Sequence, residues 1–155
     1  MQSKHLLKMM IMLTGLLLCA CHRQATYSRF QHVSETGWEK VDTLEFDIPP
    51  MAESGTYREA LLLRINSTFP FLALTIEVTQ TILPEGRQER YTKNCHVIDQ
   101  KGNIKGAGVS LFQYTFPLND IQLSQGDSLH ISVTHCMKRE ILPGMNDIGI
   151  SLTKQ

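Results

Sequence analysis

Residues 72–79 read LALTIEVT, and this stretch decides the fold of the chain. Leu72, Leu74, Ile76 and Val78 alternate with Ala73 and three polar side chains. This period of two is typical of a β-strand that has one face in a core and the other towards solvent. A helix would instead require apolar residues at positions i, i+3, i+4 and i+7, but Thr75 and Thr79 occupy two of these positions counted from Leu72. The stretch therefore predicts a half-buried strand.

The same strand-like pattern extends from Trp38 to the C-terminus. Short apolar or alternating runs are separated by turn residues rich in glycine, proline and aspartate; the runs are 43–48, 61–65, 90–98, 112–116, 129–137 and 148–152. Pro49-Pro50 and Pro117 are expected to end strands, and Pro84–Gly86 is expected to turn a hairpin. No helical periodicity is visible in this region. The sequence predicts an all-β fold, an antiparallel two-sheet β-sandwich of about seven to eight strands.

The N-terminus has the pattern of an export signal. Lys4 and Lys8 flank an apolar run that ends in the lipobox Leu18-Cys19-Ala20-Cys21. A positive flank, an apolar run and a small residue before the cleavage point indicate a secretory signal peptide. We predict removal of residues 1–20 and diacylation of Cys21, which anchors the chain in a membrane. An ordinary signal peptide remains an alternative, whereas a spanning helix requires about 20 apolar residues and is disfavoured.

The organisation of the exported part follows from this. Residues 21–37 are polar and aperiodic, and are predicted to be a lipidated tether; residues 38–155 are predicted to be the β-sandwich domain. The full chain has 15 basic and 15 acidic residues, and loss of Lys4 and Lys8 with the signal leaves a formal charge of −2. No basic cluster occurs, so nucleic acid is not an expected partner.

Two cysteines lie in the domain, in the mirrored dipeptides Cys95-His96 and His135-Cys136. In an antiparallel pair that sets position 95 opposite 136, the two sulfurs share one face. A disulfide is then geometrically possible, and export to an oxidising compartment favours it. Two free cysteines in the core are the alternative. A Cys2His2 metal site is disfavoured, because neighbouring strand residues point to opposite faces.

The sequence presents no catalytic signature. It has no G-x-S-x-G turn, and neither cysteine has a protease context. No glycine loop precedes a helix, which argues against a nucleotide cofactor. We predict no enzyme activity, no metal and no cofactor. An alternative function is binding of a glycan or small ligand by solvent-facing aromatic residues; the candidates are Trp38, Tyr57, Tyr91, Phe112 and Tyr114. Burial of Trp38 and Tyr114 would count against that alternative.

Four segments in order resemble the gliding motility lipoproteins called GldH. These are Trp38-Glu39-Lys40 followed by Asp42, Phe69-Pro70-Phe71 followed by Leu74, the glycines between Gly102 and Gly108, and the stretch from His135 to Ile150. Together with the lipobox they cover almost the whole exported chain. The resemblance implies a noncatalytic cell-envelope lipoprotein of Bacteroidetes, associated with gliding machinery and the linked type IX secretion system.

Such a protein is expected to act by contacting other envelope proteins. We predict that the segment Arg139–Asp147, with Arg139, Leu142, Pro143, Gly144 and Asp147, forms an interaction loop, with a plain hairpin turn as the alternative. His22-Arg23 after Cys21 lacks an aspartate retention signal, which favours the outer membrane. The absence of an acidic stretch there favours a domain that faces the periplasm.

Overall fold

The computed structural model describes residues 25–155, so the predictions for residues 1–20 and for Cys21 lie outside the described part of the chain. Within that part the chain is all-β and contains no helix, as the sequence predicts. Its ten strands are β1 Tyr27–His32, β2 Trp38–Glu39, β3 Leu44–Ile48, β4 Gly55–Asn66, β5 Ala73–Leu83, β6 Arg87–His96, β7 Leu111–Leu123, β8 Ser128–His135, β9 Ile141–Leu142 and β10 Met145–Lys154.

Eight longer strands form two antiparallel four-stranded sheets. The first sheet, called sheet A, has the order β1-β10-β4-β7, and the second, called sheet C, has the order β3-β8-β5-β6. Chain connections pass from one sheet to the other, apart from the β5–β6 hairpin. This strand order is that of a jelly roll. The short strands β2 and β9 form a separate two-stranded sheet, called sheet B, at one end of the sandwich.

The core lies between the inner faces of the two sheets. In β5 the side chains of Leu74, Ile76 and Val78 are completely buried, while the alternate positions are half-buried. Sheet A supplies Leu61 and Leu63 from β4, also completely buried. Residues 73–79 therefore have the orientation that their alternation predicts, and β5 is a central strand of its sheet. Leu72, which was predicted to share the buried face, precedes the strand and is exposed.

Two predicted boundaries are wrong. Tyr27–His32 form β1, which pairs with β10 at the edge of sheet A, so the predicted tether of residues 21–37 includes part of the domain. Pro117 does not end its strand, because β7 continues to Leu123. The register between β4 and β7 shifts between Arg58 and Ala60, where β7 has an extra residue. Proline has no amide hydrogen to donate to a neighbouring strand, and a bulge in an edge strand such as β7 accommodates Pro117 for this reason.

The two ends of the sandwich differ. Residue 25, the loops 49–54, 84–86 and 124–127, and the C-terminus lie at one end, which we call the tether end. The opposite end, called the loop-rich end, carries the segments 33–43, 67–72, 97–110 and 136–144. Since β10 has ten residues, the two ends are separated by roughly 30 Å.

Candidate interaction surface at the loop-rich end

The loop-rich end brings together the sequence segments that carry the family resemblance. Trp38 to Asp42, Phe69 to Leu74 and Gly102 to Gly108 lie in or beside three of its loops, and the stretch from His135 contributes the fourth. Loops held on a rigid sandwich are where binding residues most often lie. The segments are far apart in the sequence, and the sheet topology alone brings them to one end.

Trp38 anchors this end to the core. Its side chain is completely buried, and its indole nitrogen donates a hydrogen bond to the backbone carbonyl of Asp42 at 3.1 Å. The ring of His135 meets it edge to face, with centroids 5.1 Å apart. Trp38 also pairs with Leu142 in the β2–β9 ladder. The Trp38 segment therefore has a structural role, holding two loops against the end of the sandwich.

His135 is itself almost completely buried, and neither ring nitrogen has a hydrogen-bond partner with good geometry among the described residues. Burial lowers its pKa below the ordinary value, and the nearby backbone of Trp38 opposes that shift in part. Desolvation disfavours the imidazolium, so the neutral form prevails. His135 is thus a core residue and does not face a ligand space.

The predicted interaction loop includes the turn 143–144, which joins β9 to β10, two strands that belong to different sheets and do not pair with each other; its members have different roles. Leu142 is completely buried, whereas Arg139 is exposed and Pro143 is half-buried. Gly144 has φ of 77°, and its backbone carbonyl accepts a hydrogen bond from the backbone amide of Asn66 at 2.9 Å. Asp147 lies within β10, and its carboxylate contacts His32 and Arg64. Whether the exposed members contact a partner remains a prediction, and Leu142 belongs to the core.

An apolar cavity of about 130 Å³ opens between the segments 67–72 and 97–110 at the same end. Its walls are mostly aromatic or aliphatic; they include Phe69, Phe71, Ile98, Ile104, Phe112 and Tyr114. Phe69 and Phe71 meet edge to face at 5.4 Å. The segment 97–110 closes one side, since Ala107 exchanges two backbone hydrogen bonds with Gln113 of β7. The cavity thus lies between loops that the sequence did not predict to meet.

A polar cleft of about 310 Å³ lies on the other side of residues 66–69. Its walls include His32, Glu35, Asn66, Pro143 and Asn146. The Asn66 amide donates to the Asn146 side chain at 3.1 Å, and its oxygen accepts from the backbone and hydroxyl of Thr68. These side chains satisfy one another, so the cleft contains no orphaned polar group that would demand a ligand.

Exposed apolar side chains are concentrated at the loop-rich end. Of the seven large apolar side chains that are exposed in residues 25–155, six lie there: Val41, Leu72, Ile104, Val109, Leu111 and Ile141. The seventh, Leu83, lies at the tether end. Val109 is 94% exposed. Apolar side chains gathered on one surface are typical of a protein-binding site. Sequence reasoning missed these residues, because in the sequence they resemble strand or turn positions.

The predicted register of the two cysteines is wrong. Strand β5 lies between β6 and β8, so Cys95 lies opposite Leu74, and the amide of Cys136 bonds to the carbonyl of Thr75. Cys95 is buried and Cys136 is exposed, and both are free thiols in this structure. The predicted disulfide is therefore not formed. The imidazoles of His96 and His135 are separated by the same strand.

The aromatic candidates for a glycan-binding face are mostly internal. Trp38, Tyr57 and Tyr114 are buried, while Tyr91 and Phe112 are half-buried against the core. Tyr57 donates its hydroxyl hydrogen to the carbonyl of Glu53 at 2.7 Å. An aromatic platform for stacking a sugar requires exposed ring faces, and burial of Trp38 and Tyr114 removes two of the candidates.

Within residues 25–155, no group of three or more histidine, cysteine, aspartate or glutamate side chains is arranged to hold a metal ion. No helix in that range has the length and apolar character needed to cross a membrane.

The chain is 22% identical over 152 residues to the gliding motility lipoprotein GldH of Flavobacterium johnsoniae, an alignment that covers 94% of each chain. Among solved structures it resembles a family 35 carbohydrate-binding module from Clostridium thermocellum, with a TM-score of 0.43, 12% identity, and coverage of 83% of this chain and 89% of that one.

A structure from Sulfurospirillum deleyianum gives a TM-score of 0.46 at 10% identity, and covers 84% of this chain and 99% of that one. These two structural likenesses are too distant to bear on function. The family comparison is stronger, because the model described as GldH lipoprotein matches residues 25–152, which is most of the chain and all of the described strands but the last residues of β10. The chain therefore belongs to the GldH lipoprotein family.

Proposed function

We propose that this protein is a noncatalytic lipoprotein of the cell envelope that serves gliding motility by contacting other envelope proteins through its loop-rich end. Family membership and the relative from F. johnsoniae, which is named as a gliding motility lipoprotein, support the role in motility. The observation that carries the contact surface is the placement of six exposed apolar side chains at that end. A link to type IX secretion is part of the proposal.

The anchor is proposed to be diacylated Cys21, in the outer membrane, with the domain in the periplasm. Six residue steps separate Cys21 from the start of β1 at Tyr27, and they can span at most roughly 20 Å. The tether end is therefore held near the membrane. The loop-rich end lies at the far end of the sandwich and is free to meet a partner. Anchoring raises the effective concentration of the domain towards partners at the same membrane.

Binding of a glycan or another small ligand remains the second candidate function. The apolar cavity of about 130 Å³ and the polar cleft of about 310 Å³ are the spaces that could hold such a ligand. Burial of Trp38 and Tyr114 disfavours it. Protein contact is preferred, since Val109 and Leu72 expose apolar surface and not sugar-binding donors and acceptors.

Matched charge substitutions test the contact surface. Val109→Asp places a charge at a side chain that is 94% exposed, so the fold should tolerate it. Leu83→Asp makes a comparable change at the tether end, where the side chain is 43% exposed. We expect Val109→Asp to reduce the envelope proteins that co-purify from detergent-solubilised membranes and to reduce colony spreading, while Leu83→Asp retains both.

A Cys21→Ala variant provides the baseline for the same experiment, because it removes the proposed acylation site. Equal co-purification by Val109→Asp and Leu83→Asp would contradict the assignment of the surface. If the wild-type protein retains no envelope protein above the Cys21→Ala baseline, the proposal of protein contact fails altogether.

A further inference from the structure

A carboxyl group that the proposed function does not use is buried between the two sheets. Glu59 of β4 lies on the inner face of sheet A, in line with Tyr57 and Leu61, and is only 1% exposed. Its Oε2 accepts a hydrogen bond from the hydroxyl of Tyr91 at 3.0 Å. Tyr91 belongs to β6 of sheet C, so this bond joins the two sheets.

The surroundings of Glu59 supply no compensating positive charge. The facing strand β6 presents Tyr91 and, two residues earlier, the carboxylate of Glu89. Arg87 and Lys93 share that face of β6 by strand alternation, and neither forms an ion pair with Glu59 in the described residues. An isolated carboxylate in such a place is expensive, because burial removes its hydration and a second carboxylate repels it.

The other strands around Glu59 present apolar or neutral groups, apart from Lys154 of β10, which follows Leu152 by two residues and pairs with Glu53. On β10 the paired residue is Leu152, and in the bulged stretch of β7 the residue that packs against the core is Leu118. On β5 the neighbour of Glu89 is Gln80, which is also 1% exposed. Gln80 donates from Nε2 to the carboxylate of Glu89 at 3.0 Å.

Two buried oxygens in this layer have no donor among residues 25–155. They are Oε1 of Glu59 and Oε1 of Gln80. Buried polar atoms in folded proteins are nearly always hydrogen-bonded, so two orphaned acceptors in one layer require an explanation. A proton on Glu59 removes the buried negative charge and changes its free oxygen from an orphaned acceptor into a hydroxyl group.

We propose that Glu59 holds a proton in the folded domain at neutral pH and that loss of this proton loosens the contact between the two sheets at the β6 edge. Loss of the proton strengthens the hydrogen bond that Tyr91 donates, so the loosening comes from the cost of a buried negative charge close to Glu89. This pH-sensitive contact is independent of the loop-rich end, and its failure would leave the proposed protein contact untouched.

The direction of the pH dependence follows from burial. Desolvation is the main cause that raises the pKa of Glu59 to about 7 from an unfolded value of 4.5, the Tyr91 hydrogen bond opposes it, and the charge of Glu89 adds to it. The folded state therefore binds the proton more tightly than the unfolded state. The contribution of the Glu59 proton to the free energy of unfolding is fully present below the unfolded pKa. It is lost as the pH rises through the folded pKa.

The test is the pH dependence of unfolding of the mature lipoprotein in a mild nonionic detergent. The chain has one tryptophan, Trp38, which is completely buried, so its fluorescence reports unfolding by urea. With a folded pKa of about 7, the folding equilibrium constant should fall roughly tenfold from pH 6 to pH 8.5. Glu59→Gln should abolish that dependence, because the amide donates a hydrogen at every pH.

Glu45→Gln is the matched control, since Glu45 is exposed on β3 and faces solvent. It should retain the wild-type pH dependence. A second measurement on the wild-type protein does not depend on the folding of a variant: the infrared band of a protonated carboxyl should be present at pH 6 and disappear above pH 8. A flat wild-type stability curve, an absent band at pH 6, or an unchanged pH dependence in Glu59→Gln would each overturn the proposal.

Discussion

Substitution of Gly144 by alanine tests the role of the turn 143–144 within the segment that was predicted to be an interaction loop. Gly144 has φ of 77°, a conformation that a residue with a Cβ adopts only at a cost. A Cβ at this position would lie 2.3 Å from the backbone nitrogen of Phe69 and 2.7 Å from its Cα. The backbone of Phe69 cannot rotate away as a flexible side chain could. Either the turn 143–144 or the 67–72 loop must therefore move.

Three contributions set the size of the effect. The left-handed conformation costs alanine about 1–2 kcal/mol, and the smaller conformational freedom of alanine in the unfolded chain returns about 0.4–1 kcal/mol. Forcing a methyl group into occupied space costs a further 1–3 kcal/mol or so. We therefore expect Gly144→Ala to lower the free energy of unfolding by about 2–4 kcal/mol, a large part of the usual stability of a domain.

Gly86→Ala is the matched control. Gly86 has φ of 76°, one degree from that of Gly144, but no atom lies within 4 Å of its hypothetical Cβ. Urea unfolding followed by the fluorescence of Trp38 should show a loss of about 1 kcal/mol for this variant. The difference between the two variants isolates the contact with Phe69. Equal losses in the free energy of unfolding of the two variants would refute the reasoning and would mean that the turn 143–144 is not fixed against the 67–72 loop.

Other substitutions probe the cysteines, the core and the surface. Without reductant, Cys136 should react with a thiol reagent in the folded protein and Cys95 only after unfolding, because Cys95 is buried and its pKa is raised to about 11; failure of both thiols to react in the unfolded protein would indicate a disulfide. Leu61→Ala should reduce the free energy of unfolding by about 2–5 kcal/mol, since Leu61 is completely buried between the sheets, and a loss below 1 kcal/mol would contradict its place in the core. A double-mutant cycle on the exposed Arg58–Asp120 pair, whose charged atoms are 3.1 Å apart, should give a coupling energy of no more than about 1 kcal/mol.

Local sequence signals predicted individual strands well. The alternation in residues 72–79 identifies β5 and its buried face, and Pro84–Gly86 correctly predicts the turn between β5 and β6. These successes depend on side-chain direction and turn geometry, which neighbouring residues determine. The prediction that Pro117 ends its strand failed, because an edge strand with a bulge tolerates proline.

Pairing between distant strands could not be predicted in the same way. The mirrored dipeptides at Cys95 and Cys136 fit a direct pairing of their strands, and the sequence contains nothing that excludes it. In the structure β5 pairs with both strands and separates them. Neighbour choice in a sheet depends on how all the apolar faces are buried at once, and this is a property of the complete fold.

The sequence by itself determined the class of fold and the buried face of each clear strand, because each of these follows from the order of residues within a short segment. The lipid anchor at Cys21 stays a prediction of the same local kind. Tertiary structure alone decided the jelly-roll order of the strands and the placement of the family segments at one end, away from the tether. It also brought Glu59 and Tyr91 together across the core, although 32 residues separate them in the sequence. Such arrangements require closure of the two sheets on one another, and no local pattern encodes that closure.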